Sequence, residues 1–251
     1  MLLFLDADTK LEPEGLEKIA LTYLIYKGVI SIQPYHQIRK FYENFASFFN
    51  LVLMGSINVF TPLQFRVKPI GAFGPCLLCD KDTYFSVGGH QSAKDKILED
   101  LEIGKKFIKS NIDLYCFGGK GTINFRMYPD GLKSLINGFS RSFSTGAKST
   151  SILNLLLIIL WISGSFHPLT LMIGTIFNFN LLELITGIIF YLAYVIQINW
   201  MLKRIGNFNF LTAIFYPFFM IFFIIIFFWS IIISVFKIDI KWKERSINNK
   251  K

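Results

Sequence analysis

Met1-Leu-Leu-Phe-Leu5 runs straight into Asp6-Ala-Asp8. Five apolar residues without polar alternation read as a buried parallel strand. The two carboxylates then stand at its C-terminal end, the edge at which open α/β sheets place their ligands. Carboxylates one residue apart can hold Mg2+ or Mn2+, hard cations that take oxygen ligands and keep positions open for substrate phosphates. D-x-D also occurs in turns, so its weight depends on the rest of the chain.

From Thr9 onward, helical and extended patterns alternate. Pro13–Tyr26 has helical periodicity, with Leu16, Ile19, Ala20 and Tyr23 on one face. Val29–Gln33 reads as a second strand stopped by Pro34. Phe41 to Phe60 carries a broad apolar face, that of either a core helix or a helix lying in a membrane interface. Phe65–Gly71 leads into a strand through Ala72–Leu78, and Asp80-Lys-Asp82 opens a polar helix. Gly88-Gly-His90 is a turn, and Leu98-Glu-Asp-Leu-Glu102 starts a helix with acids at its positive end. Leu114–Phe117 is a last strand, and an amphipathic helix runs from Gly131 to Gly146. The expectation for residues 1–150 is an α/β domain.

Beyond it the composition changes. From Ser151 to Phe236 only Glu183, Lys203 and Arg204 carry formal charge, enough apolar chain for two to three membrane spans. Within 151–177, Gly164 and Pro168 predict a break, hence a re-entrant hairpin, with Leu181–Leu202 and Phe210–Phe236 as the clean spans. Residues 237–251 form a basic tail, expected on the cytoplasmic side. The net charge of +9 follows from this topology and favours anionic membrane lipids as partners. It does not point to nucleic acid, because the basic residues belong to no recognisable binding module. A transporter is also disfavoured, since Glu183 sits near a segment end without a partner. Three cysteines, Cys76, Cys79 and Cys116, argue against a disulfide scaffold, and Cys76-x-x-Cys79 lacks the second pair that zinc would need. They read as small residues lining a strand.

The second chemical signal is Glu99-Asp100, a carboxylate pair at a helix start. One of them can take a proton from an acceptor hydroxyl as general base, or both simply complement the helix dipole. The order is what carries weight: a strand ending in D-x-D, then Gly-Gly-His, then Glu-Asp, then an amphipathic helix, then membrane segments. With it come Ser31-Ile-Gln-Pro-Tyr-His36, Arg39-Lys-Phe-Tyr-Glu43, Ala72-Phe-Gly-Pro75, Gly88-Gly-His-Gln-Ser-Ala93, Phe125-Arg-Met-Tyr128, Ser144-Thr-Gly-Ala147 and Trp242-Lys-Glu-Arg245. Over nearly its whole length the chain resembles the GT-A glycosyltransferases of glycosyltransferase family 2, in particular members that act in carotenoid synthesis.

That resemblance implies a partial GT-A (Rossmann-like) domain followed by C-terminal transmembrane helices, in a multi-pass protein of the cell membrane whose catalytic part is cytoplasmic. It implies inverting transfer of a hexose, glucose from UDP-glucose, to a lipid-like acceptor such as a carotenoid acid, with a lipid alcohol as the alternative. Asp8 and Asp6 would hold the metal and the nucleotide. Asp100 would be the base with Glu99 beside it, and His90 and Arg141 would stand on the acceptor side. The pattern departs in three places, the first being Glu244, where the expected Trp-Lys-Gly-Arg carries its Gly. Processive relatives carry Gln-x-x-Arg-Trp where this chain reads Asn137-Gly-Phe-Ser-Arg141-Ser-Phe143, so a single transfer is expected rather than polymer synthesis. Family members also carry strands for uracil and ribose before the D-x-D strand. Their half is expected to be missing, which makes a separate N-terminal half an expected partner and an inactive remnant the competing reading.

Overall fold

The computed structural model describes residues 1–59, 67–94, 98–236, 241–242 and 245–246. Phe65–Arg66 and nearly all of the basic tail, including the question of its side, lie outside them. The chain is a mixed α/β protein with three long apolar helices at its C-terminal end.

Four strands make the main sheet: β1 (Leu2–Leu5), β3 (Val29–Gln33), β5 (Cys76–Cys79) and β6 (Leu114–Gly118), in the order β1-β5-β3-β6. β5 runs antiparallel to both of its neighbours, and β6 is parallel to β3. β1, β3 and β6 therefore share one direction, and their carboxyl ends lie along one edge with the start of β5. Alternation sorts the side chains to two faces. Val29, Leu77 and Cys79 meet Ile103 and Phe107 of α4 (Glu99–Lys109), while Ile30, Ile32, Cys76 and Leu78 meet Ile19 of α1 (Gly15–Tyr26). Both β5 cysteines are free and fully buried, and burial lifts the Cys76 thiol to about 12. They line the strand as small apolar groups.

Two expectations change. β1 is not a parallel strand buried between others. It pairs only with antiparallel β5 at the end of the sheet, and Leu5 is exposed. A short apolar run does not encode how many neighbours it has. On α1, Leu16 is exposed while Gly15 and Ile19 carry the contact.

A second sheet of β2 (Thr9–Leu11), β7 (Ile123–Phe125) and β4 (Tyr35–His36), ordered β2-β7-β4, was not foreseen. It lies just beyond Asp8 and ties Thr9 to Phe125. Phe41–Ala46 is a 3-10 turn leading into α2 (Ser47–Ser56), whose Phe48, Phe49 and Met54 are buried. Its aromatic face is core: Phe49 stacks on Phe139 of α5 (Leu132–Ser149) at 3.9 Å between ring centroids.

α6 (Ile152–Phe177) and α7 (Leu181–Ile205) follow, then the short α8 (Phe210–Ile214) and α9 (Tyr216–Phe236). The expected re-entrant break is absent: α6 is one helix of 26 residues with Pro168 inside it. Proline needs room where the turn before it would crowd its ring. Position 164, four residues earlier, is glycine, and Gly187 lets α7 approach the Pro168 carbonyl. Pro217 falls in the first turn of α9, where proline is tolerated.

Candidate active site

Asp6 leaves β1 with its backbone N–H donating to the Pro75 carbonyl at 3.0 Å, so the D-x-D turn is tied to the segment entering β5. Thr9 closes the turn by donating its hydroxyl to the Asp6 carbonyl at 2.7 Å. Across the same edge stands Asp100, in the first turn of α4. Its carboxylate fits because residue 74 is glycine: a Cβ there would lie 1.9 Å from Asp100 Oδ2. Gly74 is in an ordinary backbone conformation, so alanine is acceptable to the chain and not to Asp100. Gly74→Ala should keep the fold while displacing the Asp100 carboxylate, and any reaction in which that carboxylate takes a proton should slow about 10²-fold, the cost of misplacing a reacting group by an ångström. Thermal melts and initial rates on the full-length protein, measured together, check this.

His90 comes to Asp100 from the Gly88-Gly89 turn, whose two glycines take φ of 79° and 52°. His90 Nε2 lies 3.8 Å from Asp100 Oδ1. The other ring nitrogen, Nδ1, is 2.8 Å from the Tyr84 hydroxyl, which also accepts the His90 backbone N–H at 3.0 Å. With Tyr84 donating to Nδ1, the neutral ring carries its proton on Nε2, toward Asp100. Phe4 of β1 packs against both rings.

The charges converge. Asp6 is held above the ordinary carboxylate range by loss of surrounding water, then by repulsion from Asp100 and Asp8, with His90 opposing. Burial likewise raises Asp100, and His90 again opposes. The turn after β7 adds Tyr128, held in a left-handed conformation at φ 52°. Burial raises its phenol, then the Asp8 charge raises it and Arg141 lowers it. Gly138 of α5 leaves space for that ring, since a Cβ would meet the Tyr128 ring at 2.3 Å.

Asp6, Asp8, Asp100 and His90 are thus gathered at one edge, and the Arg141 charge is felt at Tyr128. Glu99 does not join them. Neighbouring helical residues diverge by roughly 100°, and Glu99 is exposed. Among the described residues no three His, Cys, Asp or Glu side chains form a ready-made metal cage. Mg2+ needs none, since one or two carboxylates and substrate phosphates complete its shell. The mutual repulsion at Asp6 is what such a cation would relieve, so Asp6 and Asp8 fit one. A cavity of about 660 Å3 lies elsewhere, between β6 and the end of α7, and none of these carboxylates lines it.

Sequence reasoning missed the pair that holds the Tyr128 turn. Glu43 is fully buried and accepts backbone N–H groups from Arg39 at 2.6 Å and Lys40 at 3.1 Å. Arg126 donates to it from Nε at 2.9 Å and from Nη2 at 2.6 Å. Beside it the Tyr42 hydroxyl donates to the carbonyls of Tyr128 and Pro129 at 2.9 Å. Neither a lone glutamate nor a lone arginine signals a partner 83 residues away. Burial by itself would raise the Glu43 carboxyl, but the Arg39 N–H, the Arg126 side chain and the Lys40 N–H together hold it below its ordinary value. A depressed carboxylate stabilises the fold above its unfolded pKa, and that stability is lost as pH falls through the folded value. Arg126→Ala should therefore destabilise the fold near neutral pH, because it leaves the buried Glu43 carboxylate without its charged partner. It should also move the acid-unfolding midpoint upward, which urea melts at several pH values would report.

No protein-family profile matches the chain. Individual proteins do. Over 229 residues it is 33% identical to the 4,4'-diaponeurosporenoate glycosyltransferase of Staphylococcus aureus strain MRSA252, covering 89% of this chain and 60% of that protein. Over most of its own length the chain is similar to these glycosyltransferases. The protein of the same name from strain USA300 matches at 33% over 227 residues with the same coverage. The chain spans about 60% of the length of these relatives. The resemblance read from the ordered motifs is thereby borne out. The relatives are named for glycosyl transfer to diaponeurosporenoate.

Proposed function

We propose that the protein transfers a hexose, glucose from UDP-glucose, with inversion to a carotenoid carboxylate at the edge of the membrane. The observation that carries this reading is the convergence of Asp6, Asp8, Asp100 and His90 at the carboxyl edge of the sheet, in a chain akin to glycosyltransferases. Asp6 and Asp8 would bind a divalent cation together with the donor diphosphate. A bound cation would stabilise the charge that grows on the departing nucleotide. Tyr128 and Arg141 flank Asp8 and orient the same end of the donor. The acceptor carboxylate attacks the anomeric carbon from the side opposite the leaving UDP, and the ester bond forms as the bond to phosphate breaks. An ionised acid has no proton to lose, so in this reaction no base is required, and Asp100 would serve as a base only for a lipid alcohol. The apolar acceptor reaches the site from the three long apolar helices, and the catalytic edge faces the cytoplasm, where nucleotide sugars are made.

A calorimetric titration of the full-length protein with UDP-glucose tests the donor half of this reading. Binding should appear with Mg2+ or Mn2+ and disappear with EDTA. Equal affinity with and without the cation would remove Asp6 and Asp8 from the role assigned to them.

A further inference from the structure

Length and hydropathy give three helices able to cross a membrane, but their packing sets one apart. α6 and α7 are an antiparallel hairpin turned by Asn178–Asn180, with Trp161 Nε1 donating to Gln197 Oε1 at 3.1 Å and Gly164 facing Tyr194. The open end of the hairpin is fastened to the α/β domain. The Asn207 backbone N–H donates to the His36 carbonyl at 3.0 Å, and the Asn207 side chain accepts the Ile38 N–H at 2.5 Å. At 1.5 Å per residue the hairpin projects roughly 38 Å, enough to cross a hydrocarbon core of about 30 Å.

α9 does not run along this hairpin. It meets it chiefly near Ser165, whose carbonyl accepts the Tyr216 hydroxyl at 2.6 Å and whose Oγ lies 3.0 Å from Met220 Sδ. From there it lies alongside α5, in a contact as extensive as that within the hairpin, while Phe219, Phe222 and Phe223 pack on Phe45 of the 3-10 turn and Phe49 of α2. Correspondingly, 33% of its most apolar window is buried, against 11% for α6 and 17% for α7. α5 cannot cross a bilayer. Lys133, Arg141 and Lys148 punctuate it at intervals of roughly 10–12 Å, so any crossing would strand a cation in hydrocarbon. α5 also lies against the Tyr128 turn, since a Cβ on its Gly138 would meet that ring at 2.3 Å.

From this we infer that, of the described helices, only α6 and α7 cross the membrane, and that α9 lies with α5 in the interface on the side of the catalytic domain. The exposed face of α9, Phe218, Ile221, Ile225, Phe228 and Ile232, then rests on the acyl chains of one leaflet. Two crossings put Asn178 and Lys251 on opposite sides of the membrane. They also bring the six Lys and Arg after Phe236 to the side of the domain. The inference rests on the proposed function only for naming that side cytoplasmic.

Asn178→Cys and Lys251→Cys variants of the full chain, labelled with an impermeant maleimide in intact and permeabilised cells, test it. The parent's three cysteines, buried or half-buried, set the blank. Asn178→Cys should label in intact cells and Lys251→Cys only after permeabilisation. Labelling of both from the same side would overturn the inference. The reverse pattern, with Lys251→Cys outside and Asn178→Cys inside, would uphold it while refuting the cytoplasmic placement of the site. A phosphatase fused after Lys251 reads the tail without any substitution: where Asn178→Cys labels from outside, it stays inactive with two crossings and becomes active with three.

Discussion

Replacing Asp8 by alanine should reduce cation-dependent transfer by the full-length protein to background. Asp8 leaves the D-x-D turn on the sheet edge that carries Asp6 and Asp100, and its charge is felt by both Asp6 and Tyr128. A site that uses one or two carboxylates and the donor's phosphates loses a large share of its protein ligands with that change. The missing stabilisation falls on the leaving diphosphate, where charge develops, so kcat should drop more than KM rises. A loss of at least about 10²-fold is expected, the scale seen when one preorganised electrostatic group is removed. The melting temperature should change little, because Asp8 is exposed and holds no core contact. Initial rates over a Mn2+ series check this. A variant with unchanged rate and unchanged metal dependence would place the donor elsewhere.

Asp100→Asn should give opposite results with two kinds of acceptor. An alcohol must lose its proton as the new bond forms, and a positioned base contributes roughly 10²–10⁴ in rate. With a lipid alcohol, the variant should lose that factor. A carotenoid acid is ionised at neutral pH, since carboxyl pKa values lie near 4, and a neighbouring carboxylate repels it. With the acid, transfer should fall little or rise. The surroundings of Asp100 sharpen the test: burial holds its carboxyl above the ordinary range while His90, 3.8 Å away, opposes that. A base role would then give an alcohol rate that climbs with pH through a value above the usual carboxylate range, and Asp100→Asn would flatten the climb. A large loss with the carotenoid acid would leave Asp100 as a sugar-binding or structural residue.

Much of the site's framework was legible because its signals are local. Val29–Gln33 is a run of strand-forming residues ended by proline, and the observed strand has those limits. The acids at 99, 100 and 102 mark the start of α4 through the helix dipole. What was illegible depends on contacts made far along the chain. β2, β4 and β7 are two or three residues long, too short for a period of two to register. Gly74 has no side chain to announce that it makes room for Asp100. Glu43 and Arg126 each look like surface charges until the fold buries one against the other. Pro168 reads as a breaker, yet α6 runs through it as one helix, packed closely on α7 where Gly164 faces Tyr194 and Gly187 faces the Pro168 carbonyl. Hydropathy finds α9 and cannot reveal that its neighbour is a charged helix.

One measurement bears most directly on the assigned chemistry. Membranes containing the full-length protein would be incubated with radiolabelled UDP-glucose, Mg2+ and a carotenoid acid, then extracted with organic solvent. Label should appear in the extract as a glucosyl ester that mild alkali cleaves, and should vanish with EDTA, without the carotenoid, or in the Asp8→Ala variant. Absence of extractable label, or label that persists in the Asp8→Ala variant, would contradict transfer at this site.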